Sequence, residues 1–247
     1  MRIALLSDIH SNFDALRACL RHARSEGAER YAFLGDLVGY GAEPGAVIDT
    51  VAEYAGGGAF VVKGNHDQAV ETNRLAALND GAAEVLEWTR RVLTSAQSQF
   101  LANLPLTARE GDWYFVHASA GAPAEWPYID SSQAARESMA AAGTTYTFSG
   151  HVHEQVLYFH TLAGKTAPFR PTTGSRIPVP PHRNWLALVG SVGQPRDGNP
   201  AAAYALFDEA AEELTFYRVP YDHRAAAEKI RRAGLPMWVA HRIEQGV

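Results

Sequence analysis

In the stretch TYTFSGHVHEQ, residues 145–155, an apolar run ends at Gly150 and two histidines follow one residue apart, His151 and His153. On extended backbone both rings would project to one side, as a surface pair on a strand edge or as a pair of metal ligands. Four other apolar runs end in comparable groups: Asp8 and His10 after RIALLS, Asp36 after YAFLG, Asn65, His66 and Asp67 after AFVVKG, and His117 after DWYFV. Five of the ten histidines fall at these run ends, while His22, His160, His182, His223 and His241 are scattered without partners. Mixed imidazole, carboxylate and amide donors suit a borderline divalent cation (Mn, Fe, Zn or Ni) better than calcium, which takes oxygen alone. Asp8, Asp36, Asn65, His10, His117, His151 and His153 are more donors than one ion can use. They suit two ions sharing a carboxylate, about 3.5–4 Å apart, with His151 and His153 serving one ion each.

Such groups converge only if the elements beneath them place their ends together. RIALLSD reads as a strand buried on both faces, NFDALRACLRHARSEG as a helix, RYAFLGD as a strand, EPGAVIDTVAEYAGGG as a helix and AFVVKGNHD as a strand. This β-α-β-α-β order, with units of about thirty residues, predicts right-handed crossovers and a parallel sheet. Ligands bind beyond the carboxyl ends of such strands, so the first three polar groups are expected on one rim. Residues 68–110 read as mostly helical, a cap or insertion, and residues 120–143 as a variable loop followed by a short helix. From Tyr146 onward strand and turn signals dominate, including a hairpin over AAYALFDEAAEELTFYRVPY, before a basic helix at Asp222–Gly234 and an amphipathic tail. No linker divides the chain, which predicts one domain over residues 1–247.

The chain has 247 residues, 47% hydrophobic and 20% charged, with a formal net charge of −5. That is globular composition whose overall field disfavours nucleic-acid polyanions. Cys19 is the only cysteine, which excludes an internal disulfide and a thiolate cluster. The apolar run at the amino terminus is too short for a signal peptide and no segment approaches a membrane span, so a soluble cytoplasmic protein is expected.

The ordered blocks DIH, GDLVGYG, GNHD, His117 and GHVH resemble the calcineurin-like metallophosphoesterase superfamily over residues 8–153. The resemblance implies an α/β fold of two packed mixed β-sheets flanked by helices, a four-layer α/β/β/α sandwich. It implies two divalent ions, manganese or iron favoured, with Asp8, His10 and His153 on one, Asn65, His117 and His151 on the other, and Asp36 between them. A hydroxide held by the ions would attack phosphorus in line. His66 would protonate the leaving group or bind a phosphoryl oxygen, and Asp67 would fix its loop. Protein serine/threonine phosphatases carry Asp and Arg where this chain has Gly39 and Tyr40, so support for His66 must come from elsewhere and a phosphoprotein substrate is disfavoured.

The expected activity is therefore hydrolysis of a small phosphodiester, nucleotide or phosphomonoester; the alternative is a catalytically silent scaffold that binds protein. In GSVGQPRDGNP the turn-forming residues explain themselves, and Arg196 is a candidate phosphate partner. Asn12 is a candidate second substrate contact. Trp126 and Tyr128 could stack on a base, although packing on a neighbouring element is the stronger expectation. The segment LPMWVAHRI is expected to pack within the chain, with a homodimer as the alternative.

Overall fold

The non-alternating run RIALL is apolar throughout because both of its faces are covered. In β1 (Arg2–Leu6), Ile3 and Leu5 enter a core between two sheets, while Ala4 and Leu6 enter a core beneath helices. The computed structural model describes residues 1–72, 80–161 and 164–247, and among these it contains twelve strands and eight helices. One six-stranded sheet runs β3 (Phe60–Val61), β2 (Arg30–Phe33), β1, β11 (Ala202–Asp208), β12 (Glu213–Val219) and β9 (Arg176–Pro178). The other runs β4 (Thr107–Glu110), β5 (Trp113–Val116), β6 (Tyr146–Ser149), β10 (Trp185–Val189), β7 (Gln155–His160) and β8 (Thr166–Phe169). Each sheet is mixed. β1, β2 and β3 are mutually parallel in the first, and β5, β6 and β10 in the second.

The sheets pack face to face through Phe115, Phe148, Trp185, Phe207 and Phe216. α1 (Phe13–Ser25) and α2 (Pro44–Gly56) cover the outer face of the first sheet with Leu16, Cys19, Val47 and Val51. α6 (Ser132–Ala142) covers the second with Ala135 and Met139, against Leu186 and Leu188 of β10. The four-layer α/β/β/α sandwich is thus present. Strand β10 shows the same division as β1: Trp185, Ala187 and Val189 face inward and the two leucines outward, as two-sided burial requires.

The region expected to be helical holds α3 (Asn65–Thr72), α4 (Asp80–Val92) and α5 (Ser95–Ala102). Its last four residues instead form the edge strand β4, paired antiparallel to β5. α7 (His223–Arg232) and α8 (Met237–Gln245) bury Ile230, Val239 and Ile243 against each other and against Tyr40 and Val85, so the carboxyl-terminal segment does pack within the chain. No helix among the described residues is long and apolar enough to cross a membrane.

Phe207 lies at the centre of the inter-sheet core, 1% exposed and in ring contact with Trp113, Tyr146 and Phe148. Phe207→Ala is expected to lower unfolding free energy by about 3–5 kcal/mol, through lost transfer energy and an unfilled cavity. Urea unfolding checks this, and a loss under about 1 kcal/mol would show that the two sheets can close over the gap.

Candidate metal centre

The two parallel triplets point their carboxyl ends at one place. The loops after β1, β2 and β3 meet those after β5, β6 and β10, and backbone bonds join them. Asp8 N–H donates to Gly35 O, Gly193 N–H to Asp8 O, and Gly150 N–H to His117 O. Ser191 Oγ–H also donates to Asp8 O. Five of the seven expected ligands sit in left-handed backbone: Asp8, His10, Asp36, His151 and His153 have φ of 53°, 48°, 51°, 67° and 67°. A non-glycine residue costs energy there and stays only where its surroundings over-determine it. Gly150 is required by close approach, since an added Cβ would collide with Ser7 Oγ and lie 2.5 Å from Asp8 Oδ2.

All seven expected ligands come together. His153 Nε2 lies 3.2 Å and His10 Nε2 3.9 Å from Asp8 Oδ1. Asp36 Oδ2 lies 3.7 Å from His10 Nε2 and 3.4 Å from His117 Nε2. His117 Nε2 is in turn 3.1 Å from both Asn65 Oδ1 and His151 Nδ1. Asp36 therefore stands between two donor groups: Asp8, His10 and His153 on one side, Asn65, His117 and His151 on the other. The side chains of Asp8, Asp36 and all four histidines are at most 7% exposed.

The imidazole tautomers explain what this arrangement wants. Nδ1–H donates to a backbone carbonyl in three rings: His10 to Val38 O at 3.1 Å, His117 to Leu34 O at 2.7 Å and His153 to Gln194 O at 2.6 Å. A carbonyl only accepts, so each neutral ring presents a lone pair at Nε2. The Nε2 atoms of His10 and His153 face each other at 3.2 Å, and Asp8 Oδ1 has no hydrogen-bond partner. Two lone pairs and an orphan carboxylate oxygen in a buried place repel one another unless a cation lies among them. The donor set therefore fits divalent ions, and the carbonyls orient the rings as metal-bound histidines require.

Electrostatics agree with that fit. Burial opposes ionisation of both carboxyls, yet His153 and His117 hold Asp8 below the usual carboxylate range, and His117, His66 and His10 hold Asp36 well below it. Burial keeps His10 well below its ordinary pKa and, with repulsion from His117, lowers His151 to about 4. His117 goes the other way. Burial works against its charge, but Asp36 and Asp8 push it up to about 9.

His66 hangs at the shared carboxylate because its backbone N–H donates to Asp36 Oδ1 at 2.8 Å. Its ring lies against Tyr40 and His10, with centroids 4.7 and 4.9 Å away, and its buried Nδ1 has no partner. Gly39 leaves room for that ring, since a Cβ there would lie 2.5 Å from His66 Nδ1. Support for His66 thus comes from ring packing on Tyr40, and among the described residues no carboxylate is hydrogen-bonded to its ring. Asp67 is a staple: its two oxygens accept the N–H groups of Leu37 at 2.9 Å, Val38 at 3.2 Å and Gly64 at 2.9 Å. Burial and the nearby Asp36 raise its pKa to about 7.

Asn12, expected as a substrate contact, has its polar atoms bonded within the chain. Its Nδ2 donates to Gly193 O and Tyr221 Oη, and its Oδ1 accepts from Ala15 N as the cap of α1, so every polar atom is engaged. Arg196 lies close enough to the centre that its charge adds to burial, His153 and His117 in lowering the pKa of His66. Tyr128 stacks on His151 at 4.1 Å while remaining 55% exposed, and Trp126 packs edge-on to His117. Gln194 lies within GSVGQPRDGNP, where the sequence gives it no role of its own, yet its carbonyl orients His153.

A metal ion bound at His117 would have to displace a proton at any pH below about 9. The raised pKa, from an ordinary 6.5, stabilises the metal-free protein fully below pH 6.5, and that stabilisation is lost as pH rises through 9. Metal affinity changes in the opposite sense, because protons compete for the same nitrogen. Between pH 6.5 and 9 the melting temperature of metal-free protein is therefore expected to fall while the gain on adding manganese grows. Parallel melting curves test it; two parallel pH profiles would remove His117 from the ligand set. Asp36→Asn is expected to lower the metal held at both donor groups together, measured as metal per chain after dialysis.

Comparison with known proteins agrees with this geometry. The sequence profile of the calcineurin-like phosphoesterase superfamily domain matches residues 1–212. A metallophosphoesterase from Sphaerobacter thermophilus is 36% identical and superposes with a TM-score of 0.89, covering 100% of this chain and 99% of that one. A hypothetical protein from Pyrococcus horikoshii shares the fold at 20% identity and a TM-score of 0.78, covering 100% and 98%. An uncharacterised protein of Methanocaldococcus jannaschii is 32% identical over 99% of this chain and 98% of its own length. The blocks that end the strands, the sandwich that gathers them and these likenesses agree: the chain belongs to the calcineurin-like phosphoesterase superfamily.

Proposed function

We propose that this chain is a two-metal hydrolase of small phosphodiesters or nucleotides, with His66 as its proton-donating or phosphate-binding group. The observation that carries the reading is Asp36 Oδ2, placed between His10 Nε2 and His117 Nε2 at 3.7 and 3.4 Å, which suits a carboxylate shared by two ions. When bound, such ions supply Lewis-acid charge at phosphoryl oxygens and acidify a water to near-neutral pKa. The protein's own part is positional. Backbone carbonyls hold three rings, Asp67 ties the GNHD turn to the GDLV turn, and Asp36 holds His66 through its backbone N–H.

Burial and the neighbouring histidines keep the His66 pKa below its ordinary value, with Asp36 opposing them. Neutral imidazole still offers one ring N–H to a leaving-group or phosphoryl oxygen. The exposed ring of Tyr128 beside His151 favours a substrate with a flat group next to its phosphate, as a nucleotide has. The scaffold reading is disfavoured by Asp8 Oδ1 and His66 Nδ1, buried polar atoms left unpaired at a cost that a purely structural surface would not retain.

The test is hydrolysis of chromogenic mono- and diesters by chelated protein with manganese restored. Turnover is expected only with metal, and His66→Ala is expected to slow it about 10²–10⁴-fold at unchanged metal content. Loss of metal in that variant would make His66 a ligand, which its place beside His10 and Asp36 also permits. Metal-loaded protein inert toward esters and a nucleotide panel would support the scaffold.

A further inference from the structure

The loop after β10 is held at both ends and carries, between them, two donors without acceptors. On the near side, Gly193 N–H donates to Asp8 O, Gln194 N–H donates to Ser191 Oγ at 2.8 Å, and Gln194 O accepts from His153 Nδ1. On the far side, Arg218 grips Asp197 with two bonds of 2.7 and 3.0 Å, and Gly198 N–H donates to Gly246 O at the end of α8. Arg196 therefore sits on backbone that is fixed relative to the metal ligands.

Gln194 is fully buried, and its Oε1 accepts from Arg196 Nη2 at 3.1 Å. Arginine has donors only, so the amide atom facing it must be oxygen, and the other amide atom is fixed as nitrogen. That nitrogen, Nε2, is buried without a partner, and so is Arg196 Nε. Among the described residues no carboxylate lies within ion-pairing distance of Arg196, because its neighbour Asp197 is taken by Arg218. Its charge is felt at both His66 and Tyr40. A partly buried guanidinium with no carboxylate partner among the described residues, coupled to a buried amide with a free N–H, is a donor set that suits an anion.

We propose that Gln194 and Arg196 form the arm that holds the substrate's phosphoryl group at this centre, the amide and guanidinium donating to its non-bridging oxygens. The identity of the anion rests on the phosphoesterase reading; the arm itself rests on the unpaired donors. Arg196 is then a substrate-binding residue whose removal acts on affinity for phosphate, with the metal ligands left in place. Gln194 has two functions: its backbone orients His153 and its side chain sets Arg196.

The experiment titrates inorganic phosphate calorimetrically into manganese-loaded wild type, Arg196→Gln, Arg196→Lys and Gln194→Leu, with bound manganese and melting temperature measured on the same samples. Arg196→Gln is expected to weaken phosphate roughly tenfold or more, the ordinary worth of a charge-assisted contact, with manganese per chain unchanged. Arg196→Lys is expected to recover part of the affinity, since it keeps the charge and loses the fork. Gln194→Leu is expected to weaken phosphate less than Arg196→Gln. Wild-type phosphate affinity in Arg196→Gln, or loss of manganese along with phosphate, would overturn the arm and leave the loop a support for His153. Hydrolysis assays on the same proteins separate the two readings. Phosphate binding that depends on Arg196 without any turnover keeps the arm and rejects the hydrolase. Turnover with phosphate binding indifferent to Arg196 does the reverse.

Discussion

Two carboxylates, Asp8 and Asp36, are buried to 0% and 1% exposure and both are held ionised. Taking charge out of water is costly unless opposite charge or hydrogen bonds replace the hydration, and much of the rest of the structure follows from that demand. Four histidines close around the pair, three of them turned by backbone carbonyls so that a nitrogen lone pair faces inward. In the metal-free protein a protonated His117 meets part of the demand through Asp36. Cations meet all of it, which is why the site reads as a metal centre rather than as a buried ion-pair network.

Holding like groups together requires a frame that does not give way. The left-handed residues at Asp8, His10 and Asp36 are fixed by a ladder of backbone bonds: Asp8 N–H to Gly35 O, His10 N–H to Asp36 O, and Ser11 N–H to Leu37 O. Asp67 adds three more bonds across the same turns. The ladder rests on β1 and β2, whose side chains are packed on both faces. Strain at the site is thus balanced by burial in the sandwich, an arrangement that places chemistry on rigid elements and keeps the geometry of the ligands tight. What is exposed near the centre lies on its rim, in Tyr128 and the loop beyond Arg196.

The surroundings of the centre are built by parts of the chain far apart in sequence. Tyr40 packs with α7 and α8, Trp126 and Tyr128 arrive from the loop before α6, and Arg196 from the loop after β10. Lys229 of α7 bonds both Asp14 of α1 and Glu43 before α2, which docks the carboxyl-terminal helices beside the first two crossovers. These groups hang on different loops from the same frame, and two of those loops touch the histidines directly: Tyr128 and Trp126 pack on His151 and His117, and the Gln194 carbonyl bonds His153.

The ligand types and their local spacing were legible from sequence because Asp8-x-His10, Asn65-His66-Asp67 and His151-x-His153 are covalent neighbours at run ends. The βαβ periodicity also predicted that β1, β2 and β3 would end together. Other features carried no such signal. Val38, Leu34 and Gln194 orient the histidines through main-chain carbonyls, which every residue type possesses. Asn12 looked like a polar group near the chemistry, and only its contacts with Gly193, Tyr221 and Ala15 show it to be a brace. The edge strand β4 lay hidden in a helical reading because its pairing with β5, not its own periodicity, makes it a strand. Sequence by itself determined which groups could ligate and which strands would be buried on both faces, since spacing and hydrophobic pattern are local. Which side of Asp36 each histidine takes and what His66 leans on were decided by tertiary structure. Those relations join atoms tens to hundreds of residues apart, and packing alone brings them within bonding distance.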